Sequence, residues 1–216
     1  ARSYPARLAS GDYYTYAATT NGLMFAVGDV SGKGLSAALV MTMVSSATTA
    51  ATNRDVTGDP ARILADVSAD VYDYLSDSGV FVTTAIGVWD AHESTLKVAN
   101  AGHSPVLHCH GDRTTSIPPA VPPLGVLPDV AHEPIELVFE PGDALLFGSD
   151  GLAEQEDAHG RQLGYDALDA LLISHRPDGA SALVDRLFDA VERHGAGQPQ
   201  DDDRTALVVA RREGVT

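Results

Sequence analysis

The sequence predicts an α+β domain in which antiparallel β-sheets are covered by helices. Three observations carry this expectation. Strand-like apolar runs come in clusters and do not alternate one-for-one with helices, so a parallel βαβ sheet does not fit. Several neighbouring runs are joined by only three or four polar residues, the length of a hairpin connection. Helix-like segments come in two pairs, one after the opening strands and one before the last strand.

The strands are expected at Tyr13–Ala18, Leu23–Asp29, Phe81–Asp90, Ser94–Asn100, Pro105–His110, Ile135–Phe139, Ala144–Ser149 and Thr205–Ala210, each a short β-branched or apolar run. Thr19-Thr20-Asn21-Gly22 joins the first two, and Ala91-His92-Glu93 joins the next pair. The first helix is expected from Leu35 to about Asn53, a stretch rich in Ala, Met and Ser. The second, Pro60–Ser76, starts at Asp59-Pro60 and sets Ile63, Val67, Val71 and Leu75 four apart on one face. A third is short and apolar, Tyr165–Ser174. The fourth, Ala180–His194, aligns Leu183, Leu187 and Val191, with Val184 and Phe188 beside them. The stretch His110–Glu133 carries five of the twelve prolines and reads as a long loop.

The 216 residues suit a single domain, with no repeat or linker to divide them. A hydrophobic fraction of 44% is that of a globular chain. No apolar run is expected to approach the roughly 18 residues a membrane helix needs, and the N-terminal residues carry no signal-like apolar region. The formal charge of -16 disfavours nucleic acid and anionic lipid, because phosphate neutralisation needs a basic surface. A single cysteine, Cys109, excludes an internal disulfide and points to a reducing, cytoplasmic setting.

Gly28-Asp29-Val30-Ser31-Gly32-Lys33-Gly34 follows an apolar strand and precedes a helix. It is not a P-loop: Val27 stands where the first glycine belongs, and Gly34 where Ser or Thr should follow the lysine. Asp29 instead closes a strand, with glycines that let backbone approach it; a plain Asp-capped turn is the alternative. Asp150-Gly151 ends a second apolar strand, and Asp201-Asp202-Asp203 precedes a third. Each alone is an ordinary turn or solvated loop. Together, Asp12, Asp29, Asp150 and Asp202 put four carboxylates at strand ends. Gathered in one place they repel unless a cation neutralises them, and oxygen ligands suit Mg2+ or Mn2+. No cysteine and histidine set with zinc spacing competes.

These segments resemble the bacterial PPM (PP2C-type) metal-dependent serine/threonine phosphatases, and within them the SpoIIE/RsbU branch that dephosphorylates anti-anti-sigma factors. The matching pieces are Ser10-Gly11-Asp12-Tyr13-Tyr14, the stretch from Gly28 to Gly34 with Ala37-Ala38, and Asn100-Ala101-Gly102-His103-Ser104-Pro105. Pro123-Leu124-Gly125, Pro141-Gly142-Asp143, Ser149 to Glu154 and Asp202-Asp203-Arg204-Thr205 follow in family order. The resemblance implies two packed antiparallel sheets flanked by helices and a centre of two Mn2+ or Mg2+ ions that activates water. Asp29 matches the carboxylate bridging both ions, Val30 the backbone carbonyl ligand, and Asp150 and Asp202 the other direct ligands. Asp12 matches an acidic position that holds bound water or stands just behind the ligands.

The resemblance also implies a phosphorylated anti-anti-sigma (STAS) protein as partner and a catalytic fragment of a longer signalling protein. A binding module with little turnover is the competing expectation; homodimerisation stays open. Departures from the family pattern are Ser10 for a glycine, Thr15 for a carboxylate and Ser149 for a threonine. Ser31 stands where eukaryotic relatives carry a histidine as leaving-group acid, so water is expected to protonate the departing alkoxide. No arginine matches the phosphate-binding arginine of those relatives.

Other side chains receive quieter readings. Lys33 is a candidate for contacting phosphate or a substrate backbone, and equally a solvated turn lysine. His103 is expected to serve a turn near the site, and His108 with His110 to share a partly exposed sheet edge. Glu154 is expected to cap a helix or loop, Tyr13, Tyr14 and Tyr16 to pack in the core, and Cys109 to take no part in chemistry.

Overall fold

The structure is a computed structural model that describes residues 1–55, 57–130 and 133–212. Among the described residues, ten strands form two five-stranded antiparallel sheets. One sheet has the order β2 (Tyr13–Ala18), β3 (Gly22–Val30), β4 (Val82–Asp90), β5 (Thr95–Ala101), β8 (Ile135–Val138). The other has the order β1 (Arg2–Tyr4), β10 (Arg204–Ala210), β9 (Ala144–Gly148), β6 (Val106–His110), β7 (Arg113–Ile117). The α+β sandwich expected from sequence is what forms.

Strand alternation builds the layers. In β3, Phe25 and Val27 point at the opposite sheet and meet Phe147, Leu145 and Leu207, with the Phe25 and Phe147 rings edge-on at 5.3 Å. Met24 and Ala26, one residue out of phase, face the helices α1 (Leu35–Arg54) and α2 (Pro60–Ser78). On the far side, α4 (Tyr165–His175) and α5 (Ala180–His194) cover β6, β9 and β10 through Leu168, Leu172, Leu183, Leu187 and Val191.

Helix α2 forms where its signals stand. The Asp59 side chain accepts from the Ala61 N–H, Pro60 opens the first turn, and Gly79 closes the helix in the left-handed conformation at φ 66°. Its buried stripe is Ile63, Val67, Val71 and Leu75. Helix α1 has no side-chain cap. By length and apolarity it would reach across a membrane, a property hidden in the sequence by its scattered hydroxyls. Here Thr42, Thr48, Thr49 and Thr52 return their hydroxyls to carbonyls four residues back, while Val40, Val44 and Ala51 are buried against the sheet and α2.

Three elements depart from expectation. The long loop over His110–Glu133 contains β7, which pairs with β6 through the two-residue turn Gly111-Asp112. Its polar sequence, Arg-Thr-Thr-Ser-Ile, carries no apolar alternation because an edge strand buries little. Ala131 and His132 of that loop lie outside the described residues. Strand β1 is three residues laid along β10. Asp150 to Ala153 form a one-turn helix, α3, with Glu154 as its C-cap, as expected for that glutamate.

Side-chain expectations also need correction. Only Tyr13 of the three strand tyrosines is core, its hydroxyl 2.8 Å from Thr84 Oγ1; Tyr14 and Tyr16 are exposed on the edge strand β2. His108 is not at an edge, because β7 covers β6; it is buried and its Nε2 lies 3.2 Å from Asp143 Oδ2. His110 Nδ1 meets the other oxygen of Asp143 at 2.9 Å.

Candidate active site

The four sequence-selected carboxylates come from both sheets. Asp12 immediately precedes β2 and Asp29 is the penultimate residue of β3, in the first sheet. Asp150 opens α3 directly after β9, and Asp202 lies two residues before β10, in the second. All four lie at the same end of the sandwich. Antiparallel pairing places them there: the register Tyr13↔Gly28 brings the start of β2 beside the end of β3, and Ala206↔Gly148 does the same for β10 and β9.

Close backbone approach tightens the cluster. A Cβ on Gly11 would stand 3.0 Å from the Val30 carbonyl oxygen and 3.2 Å from Asp29 Oδ1. On Gly151 it would stand 2.2 Å from the Asp203 carbonyl oxygen. Glycine at these two places lets the Asp12 segment lie on the end of β3 and lets α3 lie on the segment that carries Asp202.

The electrostatics are those of crowded carboxylates. Burial, then Asp12, Asp150 and Asp202, pushes Asp29 up to about 8. Burial raises Asp12 to about 6, against the hydroxyls of Thr205 and Ser149, which pull it down; Asp203 and Asp150 add to the rise. Asp150 is raised by burial and then by Asp202. The Asp12 Oδ2 atom is buried without a hydrogen-bond partner. A buried orphan acceptor amid mutually repelling carboxylates is the donor set a hard divalent cation satisfies, so the residues fit such an ion. Among the described residues, however, no three of these side chains converge into a ready-made cage.

Lys33 stands at the rim. Its Nζ donates to the Asp201 carbonyl at 2.9 Å and to Asp202 Oδ2 at 3.1 Å. It lines a cleft of about 180 Å³ with Gly151, Glu154, Glu156, Asp201 and Asp202. A smaller recess is lined by Asp29, Thr83, Gly102, His103, Ser104 and Asp150. His103 is held there by its Nδ1 at 2.9 Å from Thr83 Oγ1 and by its own N–H on Asn100 Oδ1. Burial lowers its pKa to about 4, so it is a neutral imidazole at physiological pH. Ser31 is tied down as well, accepting from the Phe81 N–H at 3.0 Å.

Two residues gain roles that the sequence reading did not give them. Ser10, a departure from the family pattern, donates its hydroxyl to Asp203 Oδ2 at 2.7 Å and accepts from the Asp12 N–H at 3.0 Å. Asp203 accepts from Ala6, Ser10 and Gly11. In a run of three aspartates, composition cannot separate the one that faces inward. Cys109 is buried in β6, away from the carboxylates.

The family model of stage II sporulation protein E (SpoIIE) matches residues 19–213. The chain is 27% identical over 213 residues to phosphoserine phosphatase RsbU of Bacillus subtilis and 26% identical over 238 residues to protein IcfG of Synechocystis. It covers 62% of RsbU and 37% of IcfG, so it spans under two-thirds of either relative. Among solved structures, the SiaA PP2C domain of Pseudomonas aeruginosa superposes with a TM-score of 0.88 at 22% identity, covering 97% of this chain and 84% of that one. The RsbU and RsbW domains of Rv1364c from Mycobacterium tuberculosis give 0.78 at 27% identity, covering 97% and 57%. The chain belongs to the SpoIIE family and has the PP2C fold.

Proposed function

We propose that this domain hydrolyses the phosphomonoester of phosphoserine or phosphothreonine on a protein, namely a phosphorylated anti-anti-sigma (STAS) protein in a cytoplasmic bacterial partner switch. The observation that carries the reading is the carboxylate cluster drawn from both sheets, with Asp29 pushed up to about 8 at its centre. Relatives support the chemistry: RsbU bears the name phosphoserine phosphatase, and a structure of RsbX, similar in fold at a TM-score of 0.70, was determined with magnesium.

Two Mn2+ or Mg2+ ions would be held by Asp29, Asp150, Asp202 and the Val30 carbonyl, with Asp12 behind them. Bound there, divalent cations supply charge neutralisation for the phosphoryl oxygens and acidify water for attack on phosphorus. Lys33 adds a cation at the rim, where a phosphate or substrate backbone would pass. His103, a neutral imidazole, is a poor acid for the departing alkoxide, and Ser31, which accepts from the Phe81 N–H, offers only a weakly acidic hydroxyl. That proton comes from water.

One observation favours a second reading, a phosphatase-like module that binds its partner with little turnover. Lys33 pairs with Asp202, one of the carboxylates the ions need. The experiment is phosphate release from a phosphoserine STAS protein with Mn2+, Mg2+ or EDTA, for wild type and Asp29→Ala. Release that needs metal and is lost in Asp29→Ala supports the enzyme. Binding of the phosphoprotein without release in either metal supports the module.

A further inference from the structure

The segment that delivers Asp12 has no regular structure between β1 and β2. One side chain ties it at three points. Asp203 accepts from the Ala6 N–H at 2.7 Å through Oδ1, and from Ser10 Oγ at 2.7 Å and the Gly11 N–H at 2.9 Å through Oδ2. Ser10 Oγ passes the constraint on by accepting from the Asp12 N–H at 3.0 Å. The main chain of Asp203 reaches the other carboxylate segments. Its N–H donates to Asp202 Oδ1 at 2.9 Å, its carbonyl accepts from Ser149 Oγ at 3.2 Å, and Gly151 presses against that carbonyl. One residue therefore touches the segments that carry Asp12, Asp150 and Asp202.

We propose that Asp203 is a positioning residue that fixes Asp12 within the carboxylate cluster and so sets the affinity of the site for divalent cations. This rests on the metal reading above. The carboxylate is required for its acceptor count: three donors converge on two oxygens. An amide keeps one oxygen and turns an NH2 group toward the remaining donors. Partners of metal ligands that are lost in this way typically cost about 10- to 100-fold in metal affinity.

The test is Mn2+ binding by titration calorimetry on the metal-free protein, for wild type, Asp203→Asn, Ser10→Ala, Asp12→Asn and the Asp203→Asn/Asp12→Asn double variant. Thermal melts of each metal-free protein verify folding. Asp203→Asn is expected to weaken Mn2+ binding about 10-fold or more, and Ser10→Ala less but in the same direction. In the Asp12→Asn background, Asp203→Asn is expected to cost nothing further, which a general packing role would not produce. Folded Asp203→Asn with wild-type affinity overturns the proposal, as does a loss that adds in full to that of Asp12→Asn. If Asp203→Asn does not fold, Ser10→Ala decides, and unchanged affinity overturns the proposal. Wild-type protein that binds no Mn2+ overturns the metal reading and this inference with it.

Discussion

Lys33 and Asp202 face each other across the mouth of the carboxylate cluster, Nζ to Oδ2 3.1 Å apart, with both side chains about half exposed. An exposed pair of this kind is worth about 1 kcal/mol at most. Removing the lysine therefore frees a carboxylate for an ion at little cost to the fold. Lys33→Met is expected to lower the Mn2+ concentration for half-maximal phosphate release by no more than about fivefold, and to raise KM for a phosphoprotein. Activity measured against Mn2+ and against substrate separates the two effects.

Asp29→Asn removes the carboxylate that burial and its neighbours disfavour most. Without metal at pH 8, the variant is expected to melt no lower than wild type, because repulsion among the carboxylates is relieved. The rise in Tm that Mn2+ gives the wild type is expected to vanish. Differential scanning calorimetry with and without Mn2+ checks both outcomes.

The same carboxylates set the pH dependence of the metal-free protein. Asp29 and Asp12 titrate at about 8 and about 6 when folded, above their ordinary value of 3.8. Between those limits the folded state holds more protons than the unfolded one, so stability falls as pH rises. His103, lowered from 6.5 to about 4 on folding, opposes this with a smaller rise that is complete by about pH 7.5. Denaturant midpoints in EDTA are expected to drop from pH 6.5 to pH 8.5, and saturating Mn2+ is expected to flatten that drop.

Much of the candidate carboxylate cluster was legible because Asp29 and Asp150 each end an apolar strand and are followed by glycine or a glycine-rich turn. The folded chain brings those two together with Asp12 and Asp202 at one end of the sandwich. Asp203 was not legible, since adjacent aspartates look alike until hydrogen bonds single one out. Strand β7 was missed because its edge position needs no apolar alternation; its one signal was the Gly111-Asp112 turn. That omission also misplaced His108, which only the β7 partner makes interior. The second helix was plain because cap, proline, stripe and closing glycine all agree.

Asp143 offers a control remote from the carboxylates. Its side chain is buried and accepts from the Glu140 N–H while meeting His108 and His110. Asp143→Ala strands a buried histidine and a backbone N–H, which costs about 1–3 kcal/mol per unpaired group. Urea unfolding is expected to show that loss, with Mn2+ affinity unchanged in the folded protein.

Gly151→Ala pushes a methyl group into the Asp203 carbonyl, 2.2 Å from where its Cβ would sit. Overpacking of this kind costs about 1–3 kcal/mol. Chemical denaturation is expected to show it, and Mn2+ binding is expected to weaken with it, because the strain falls on the segment that carries Asp202.

Asp12 and Asp29 lie at strand ends of one sheet, Asp150 and Asp202 beside strand ends of the other. Ions held between Asp29, Asp150 and Asp202 would staple the seam of the sandwich, and they could find their ligands only after residues more than 170 positions apart had met. If those contacts are absent from the folding transition state, they change the unfolding rate and leave the folding rate nearly alone. The metal would then act as a latch on the finished molecule: it would slow unfolding and leave the rate of refolding nearly unchanged.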